Sequence, residues 1–407
     1  MLLKKKKTKP TVAVVGTFDS KAEEHFFLQE RIERRGIAVL TINVGTNGPS
    51  PSPVSVDLYN RLRENGELNV GDRDQAIAAM ILEAEVEIQQ LHNQGEINAV
   101  ISAGGGTGTH LCTQVMQALP LGAPKVMVST VASRDMSDTV GTKDITMIHS
   151  VADLLGVNSI SGRILENAAA GICGMVQAAW SPEAGKKRIA LPFFGFITQA
   201  AEYVKAVLEE LEYEVIAFHA NGTGGMAMEE LAEHGYFHGI LDLATHELAD
   251  RLLDGYCGGI GPRRFEPIAP DPIPRLVVPG GLDCAVLEFT RHNIPPQYQD
   301  RQIFFYDFRS AIRLNYKETT ALAGQLADKL NRAAAHAKVL IPTKGWSEAD
   351  RPDGPLYAPQ ISQAFVTSLE ARLDPRIEIR SVDHHINDQA FAQVAADMIA
   401  QMIRGHQ

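Results

Sequence analysis

The chain has 407 residues and a net charge of −11. That length suits two or three domains with cores of their own, and the charge has the wrong sign for a general nucleic-acid or membrane-surface binder. Cys112, Cys173, Cys257 and Cys284 stand far apart with no CxxC pair, which argues against a disulfide framework and for a reducing, cytoplasmic setting.

Residues 1–10 hold the basic run KKKKTK and read as a disordered, solvated tail, with a phosphate-binding arm as the alternative. No stretch reads as a signal peptide, and the most apolar candidate helix, AAAGICGMVQAAW, is too short to cross a bilayer. From residue 11 to 182 strand-like and helix-like runs alternate. TVAVVG (11–16) is a short buried-type strand, residues 20–36 read as a helix with a glycine stop, and IAVLTINVG (37–45) is the next strand. After the Pro/Ser loop TNGPSPSPVS, a helical run starts near Asp72, with Ile77, Met80, Ile81, Ala84, Ile88 and Leu91 at helical spacing. AVISAGGG, APKVMVST and DITMIHS follow as strands. This rhythm predicts a mainly parallel sheet covered by helices on both faces.

In such sheets ligands bind at the carboxyl ends of the strands. Here those ends carry GTFDSK (16–21), NVGTNG (43–48), GGGTGT (104–109) and the segment 129–144. Glycines Gly104, Gly105, Gly106 and Gly108 remove side chains, so that backbone N–H groups can close on an anion at the start of a helix. Thr107 and Thr109 add hydroxyls, so the segment predicts a phosphate cradle. Gly16, Thr17, Phe18, Ser20, Lys21, Gly45, Thr46, Ser129 and Arg134 complete the expected nucleotide site. Asp19, Asp135 and Asp144 are the candidate Mg²⁺ ligands, since that ion takes oxygen donors and water. No GxxxxGK[ST] occurs, and no GxGxxG follows the first strand.

The second half restarts after the polar stretch SPEAGKK. Residues 188–225 match 11–48 in pattern without a gap, and a second Rossmann-like α/β domain is expected over 188–407. Its strands are GILDLAT, PRLVVPGG, RQIFFYDF, AKVLIPTKG and IEIRSVD. One helix runs from about Tyr316 to Ala337, and a closing helix starts near Asp388. Polar residues gather at these strand ends too. His219, His246, Lys344 and His384 are the candidate acid–base or anion-holding catalytic groups, and Asn221, Thr223, Gly280, Gly281, Asp283 and Arg309 the candidate substrate-binding groups. The reading for THELAD without chemistry is a capped helix start. A zinc site on His246 and Glu247 is disfavoured, because neighbours on a helix point about 100° apart and no HExxH occurs.

GGGTGT alone looks like the phosphate loop of tubulin-like GTPases, but no second acidic loop of that family accompanies it. VAVVGTFDSKAEE, AGGGTGT, VSTVASRD…VGTKDITM, FHANGTGG and VVPGGLD together, in this order, resemble the two-domain ATP-binding family named after the tomato mosaic virus resistance protein, an inhibitor of viral RNA replication. The resemblance covers nearly the whole chain from about residue 10. It implies ATP with Mg²⁺ at Gly16–Lys21 and Gly104–Thr109 and a Rossmann-like second domain, and it supplies no reaction. The resulting expectation is an ATP–Mg²⁺-dependent cytoplasmic enzyme acting on a small anionic acid or carbonyl compound in a cleft between two α/β domains. As partners we expect nucleotide, that substrate and further copies of the chain in a homo-oligomer, with neither nucleic acid nor membrane. A nucleotide-sensing, protein-binding module without catalysis is the alternative, and turnover of ATP with a panel of small acids separates the two.

Overall fold

In the computed structural model the chain divides into two units, Met1–Ser181 and Pro182–Gln407. The structure describes residues 9–68, 71–181, 185–268 and 271–406. Most of the expected basic tail, residues 1–8, lies outside the described residues, as do residues 182–184 of the stretch between the units.

The first unit runs β1 (Thr11–Gly16), α1 (Phe18–Glu33), β2 (Ala38–Asn43), β3 (Val56–Asp57), α2 (Leu58–Glu64), α3 (Arg73–Asn93) and β4 (Ala99–Gly104). It continues with α4 (Gly106–Gln117), β5 (Lys125–Ser129), α5 (Ser137–Val140), β6 (Ile145–His149) and α6 (Ser161–Gln177). The six strands are parallel in the order β3-β2-β1-β4-β5-β6. Alternate residues of one strand feed the two faces. Ala13 and Val15 pack with Met80, Ile88 and Leu111 of α3 and α4, whereas Val12 and Val14 pack with Leu28, Ile32, Leu165 and Ile172 of α1 and α6. Each fully buried Val, Leu, Ile or Met side chain among these contributes about 1.5–3 kcal/mol, which is why the strands read as unbroken apolar runs.

The second unit runs β7 (Lys187–Phe193), α7 (Thr198–Glu210), β8 (Tyr213–His219), α8 (Thr223–Glu233), β9 (Gly239–Ala244), α9 (Glu247–Leu252) and β10 (Arg275–Gly280). Then come β11 (Cys284–Leu287), β12 (Ile303–Phe305), β13 (Ser310–Arg313), α10 (Tyr316–Leu330), β14 (Ala337–Pro342), α11 (Pro359–Glu370), β15 (Glu378–Val382) and α12 (Gln389–Gly405). The main sheet is parallel in the order β15-β14-β10-β9-β7-β8. α7 and α12 cover one face; α9, α10 and α11 cover the other, with α8 packed on Ala190 and Ile240.

One strand is corrected. RQIFFYDF does not join the parallel sheet; β12 pairs antiparallel with β13, which also pairs with β11. β11 follows β10 after only Gly281–Asp283. That span is too short for the crossover a parallel neighbour needs, so the chain turns into a separate three-stranded flap. No helix among the described residues is long and apolar enough to cross a membrane. All four cysteines are free and buried.

Candidate functional site

In the first unit the strand order reverses between β1 and β4, and the ends of these strands part around one side chain. β1 and β4 are paired only over Val12–Val14 and Ala99–Ile101. Beyond that, the ring of His25 sits against Gly16, where a Cβ would lie 1.9 Å from Nε2. The Ala103 N–H donates to His25 Nε2 at 3.4 Å, so the proton is on Nδ1, which donates to the Lys21 carbonyl at 2.6 Å. That carbonyl belongs to the one non-helical residue inside α1 (φ −130°, ψ 35°). The ring thus ties the kinked start of α1 to the end of β4.

Burial pushes His25 down to about 4 from an ordinary 6.5. The folded state therefore holds a neutral ring where the unfolded chain takes a proton. Its contribution, about 3 kcal/mol, is present above pH 6.5 and is lost as the pH falls through 4. In ¹³C-histidine NMR the His25 signal, assigned by its loss in His25→Gln, should stay at its neutral position down to pH 5. Titration near 6.5 would mean that the ring is not enclosed.

Above His25 lies a cavity of about 220 Å³ lined by Thr17, Asp19, Ser20, Lys21, Thr46, Asn47, Arg73, Gly105, Gly106, Thr107, Gly108 and Leu111. GGGTGT is not a free loop: Gly106, Thr107, Gly108 and Thr109 form the first turn of α4, with Gly105 as its N-cap. The first N–H groups of a helix have no intrahelical acceptor, and its positive dipole end faces the same way. The glycines differ in purpose. A Cβ at Gly104 would sit 3.1 Å from the Gly108 backbone, and one at Gly45 would meet the Asp19 carboxylate at 2.4 Å. At Gly106 a Cβ would meet nothing within 4 Å, and at Gly105 and Gly108 only a threonine hydroxyl, at 3.8 and 3.9 Å. None of these three has a positive φ, so neither packing nor backbone strain calls for glycine there; the open space in front of them does.

Of the expected nucleotide residues, Thr17, Asp19, Ser20, Lys21, Thr46, Gly105, Gly106, Thr107 and Gly108 meet in this cavity. Lys21 Nζ donates to the Leu154 carbonyl. Asp19 Oδ2 accepts from the Asn47 N–H at 2.9 Å, and its buried Oδ1 has no partner.

The other expected residues lie outside the lining of this cavity. Phe18 is a core residue, wholly buried beside His25 and Phe26. Gly16, Gly45 and Gly104 allow close packing beneath the cavity. Thr109 and Ser129 are buried and bonded to each other at 2.7 Å, stitching α4 to β5. Arg134 is exposed in the turn after β5, outside the cavity lining. Asp135 Oδ1 accepts from the Ser137 N–H and hydroxyl at 2.9 and 2.7 Å, just ahead of α5. Asp144 accepts from the buried Lys125 at 2.6 Å and from the Gly122 N–H. Only Asp19 of the three expected Mg²⁺ ligands remains at the cavity. Arg73, absent from the sequence expectation, adds a cation there: Nη2 donates to Thr107 Oγ1 at 3.1 Å.

In the second unit the corresponding reversal lies between β7 and β9. His246 follows β9, wholly buried, with its ring stacked on Phe194 at 3.8 Å and 17°. Burial, aided by the nearby charges of His219 and Arg264, pushes it down to about 3. Next to it, Glu247 binds the Gly222 N–H at 2.7 Å and Arg264 Nε at 3.0 Å. Arg264 also donates to Asp242 at 2.7 Å and Glu229 at 2.9 Å, and Arg275 joins the same two acids. His219 ends β8; burial and the charge of Arg309 lower its pKa. Arg309 is paired with Asp307 in the β12–β13 turn and lies 4.8 Å over the Tyr256 ring.

Two of the remaining expected groups stand apart from these. Lys344 and His384 follow β14 and β15, at the far end of the sheet from His219 on β8. Five inter-strand steps of about 4.8 Å separate β15 from β8, on the order of 24 Å. Lys344 Nζ pairs with Asp383 at 2.9 Å. The Gly281 amide is taken by the Trp346 carbonyl at 2.8 Å, and a Cβ at Gly280 would lie 2.0 Å from the Leu243 carbonyl, so that turn is packed and offers no anion cradle. Asp283 is buried against Ser347 and Arg313, and burial beside Asp350 pushes it up to about 7. Asn221 accepts from the Gly224 N–H at 3.1 Å, and Thr223 opens α8, exposed. A larger cavity, about 1000 Å³, lies elsewhere, between the loop Gly195–Gln199, residues 348–355 and His385–Asp388.

A UPF0261 protein of Clostridium tetani is 33% identical over 401 residues, 96% of this chain and 98% of that protein. A ToMV susceptible protein of tomato, Solanum lycopersicum, is 32% identical over 97% of this chain, which spans 56% of the tomato protein. Among solved structures, MurG of Acinetobacter baumannii is 14% identical, covering 97% of this chain and 100% of that one; its TM-score of 0.24 is too low to bear on function. The family descriptions "Uncharacterised protein family (UPF0261) N-terminal domain" and "C-terminal domain" match residues 10–181 and 186–403, so the chain belongs to the UPF0261 family, the one that its motifs resemble and that includes the tomato proteins.

Proposed function

We propose that the chain binds ATP with Mg²⁺ in the first unit and uses it on a small anionic acid or carbonyl compound bound in the second. The observation that carries this reading is the cavity at the β1/β4 reversal, where the first-turn amides of α4, the hydroxyls of Thr17, Ser20 and Thr107, and the cations Lys21 and Arg73 converge. A polyanion suits that donor set. A volume of about 220 Å³ falls below the roughly 300 Å³ at which drug-sized ligand sites begin, so the cavity takes the phosphates and leaves the nucleoside outside it. The unpartnered Asp19 Oδ1 is an oxygen donor at the same place, fit for Mg²⁺ or its water. In the second unit His219, with its pKa lowered, is a neutral base at pH 7 beside the charge of Arg309.

Calorimetric titration of the full chain with ATP–Mg²⁺ tests the nucleotide part. Arg73→Ala should bind about ten- to a hundredfold more weakly, the value of one charge-assisted hydrogen bond. A folded chain with no heat of binding at millimolar ATP would end the reading. ATP consumption in the presence of a panel of small carboxylic acids and carbonyl compounds tests the catalytic part.

A further inference from the structure

His246 poses a problem that the acid–base reading leaves open. It is wholly buried, and neither ring nitrogen has a hydrogen-bond partner. Buried polar groups are almost always paired, and an imidazole has two nitrogens to satisfy. One face of the ring is closed by Phe194. Asp250 stands one helical turn further on, and Cys257 comes from the glycine-rich loop that folds back beneath. A His246 nitrogen, an Asp250 oxygen and the Cys257 Sγ all lie within 4.8 Å of one another.

Two of the three groups are tied to backbone, and the His246 ring is held by its stack on Phe194. Asp250 Oδ1 accepts from the Val286 N–H at 2.9 Å and Oδ2 from the Cys257 N–H at 2.8 Å, so the carboxylate is oriented and Cys257 is bound to it. The loop passes so closely that a Cβ at Gly255 would lie 2.6 Å from the Val286 carbonyl and 2.9 Å from Asp250 Cγ. Glu247, the neighbour a sequence reading would pair with His246, is committed to Arg264 and Gly222. Cys284 bonds the Gly281 carbonyl instead.

We infer that His246, Asp250 and Cys257 form a binding site for a borderline-soft divalent cation of the zinc class. Nitrogen, oxygen and sulfur donors in one set suit Zn²⁺ or Co²⁺ and not Mg²⁺ or Ca²⁺. Tetrahedral zinc holds such ligand atoms on the order of 3.5 Å apart, so the trio closes by about an ångström on binding. The cation displaces the thiol proton of Cys257 to solvent, and thiolate plus carboxylate then balance its two charges. Three protein ligands leave a fourth position for water or a substrate oxygen, the arrangement of catalytic zinc sites. There the ion would polarise a carbonyl oxygen at the β7/β9 reversal. The site stands independently of nucleotide binding in the first unit.

The test is titration of the chelator-treated, reduced, full-length chain with Co²⁺ under anaerobic conditions. The expected result is one equivalent of uptake with a thiolate-to-cobalt charge-transfer band, bleached by one equivalent of Zn²⁺. Cys257→Ser should lose the band, while Cys284→Ser keeps it. Absence of stoichiometric uptake, or a band that survives in Cys257→Ser, overturns the proposal. Should Cys257→Ser not fold, zinc X-ray absorption of the wild-type complex decides: one sulfur among nitrogen and oxygen ligands supports the site, and a shell without sulfur removes it.

Discussion

Arg264→Met should cost the second unit about 3–5 kcal/mol, read as a lower urea midpoint or as loss of its cooperative transition. The guanidinium has no exposed surface and reaches Asp242, Glu229 and Glu247 at once, at 2.7, 2.9 and 3.0 Å. Arg275 is the second cation of the group, so three carboxylates face two guanidiniums. Burial raises the pKa of Glu247, against the pull of Arg264 and the Gly222 N–H. Methionine fills most of the volume but leaves the acids with one cation, and an unpaired buried charge is what makes breaking such a group expensive. The variant must protonate more carboxylates in its folded state than the unfolded chain does. The sign of its deficit follows: the folded state binds the extra protons, so the deficit grows as pH rises from about 4 to 7. Arg264→Lys keeps the charge and loses the fork, and should fall between wild type and methionine. A deficit under 1 kcal/mol for Arg264→Met at pH 7 would show that the network does not hold β9, α8 and α9 together.

The sheets were legible in the sequence because parallel strands buried on both faces write themselves as unbroken apolar runs; TVAVVG, with Val12 and Val14 on one face and Ala13 and Val15 on the other, is the plainest case. The flap was not, because IFF and SAIR are too short to separate from a buried strand by pattern, and only the three-residue link from β10 to β11 decides their pairing. The glycine-rich cavity was legible for a similar reason: consecutive glycines are rare enough to need a cause. His25 was hidden inside an ordinary amphipathic helix beside Phe26 and Phe27, and Arg73 at the head of another, because nothing local marks a side chain that reaches across to a different element. For the metal trio the signal was partial. His246 and Asp250 stand at i and i+4, one face of a helix, but Cys257 is brought in only by the Gly255 close approach. Lys344 and His384 misled in the opposite way, since a strand end fixes an edge of the sheet but not a place along it.

Gly106→Val should abolish ATP–Mg²⁺ binding in the calorimeter while leaving the first unit as stable as before or slightly more so. The position lies in the first turn of α4, has a negative φ, and would place its Cβ in empty space. Valine there strains nothing and removes backbone freedom from the unfolded chain, which favours the fold by about 0.4–1 kcal/mol where the conformation is compatible. Its two methyl groups would stand over the N–H groups that a phosphate needs, and these cannot be replaced by a side chain of the same shape. Gly16→Ala is the control with the opposite signature. Its Cβ would lie 1.9 Å from His25 Nε2, so the ring must move and the Ala103 N–H loses its acceptor. That combination of overpacking and a broken buried hydrogen bond should cost about 1–3 kcal/mol, and any loss of nucleotide affinity would then follow the loss of structure. Two glycines in neighbouring motifs thus separate ligand space from packing space. Wild-type affinity in a folded Gly106→Val chain would move the nucleotide away from the head of α4 and leave the cavity without its occupant.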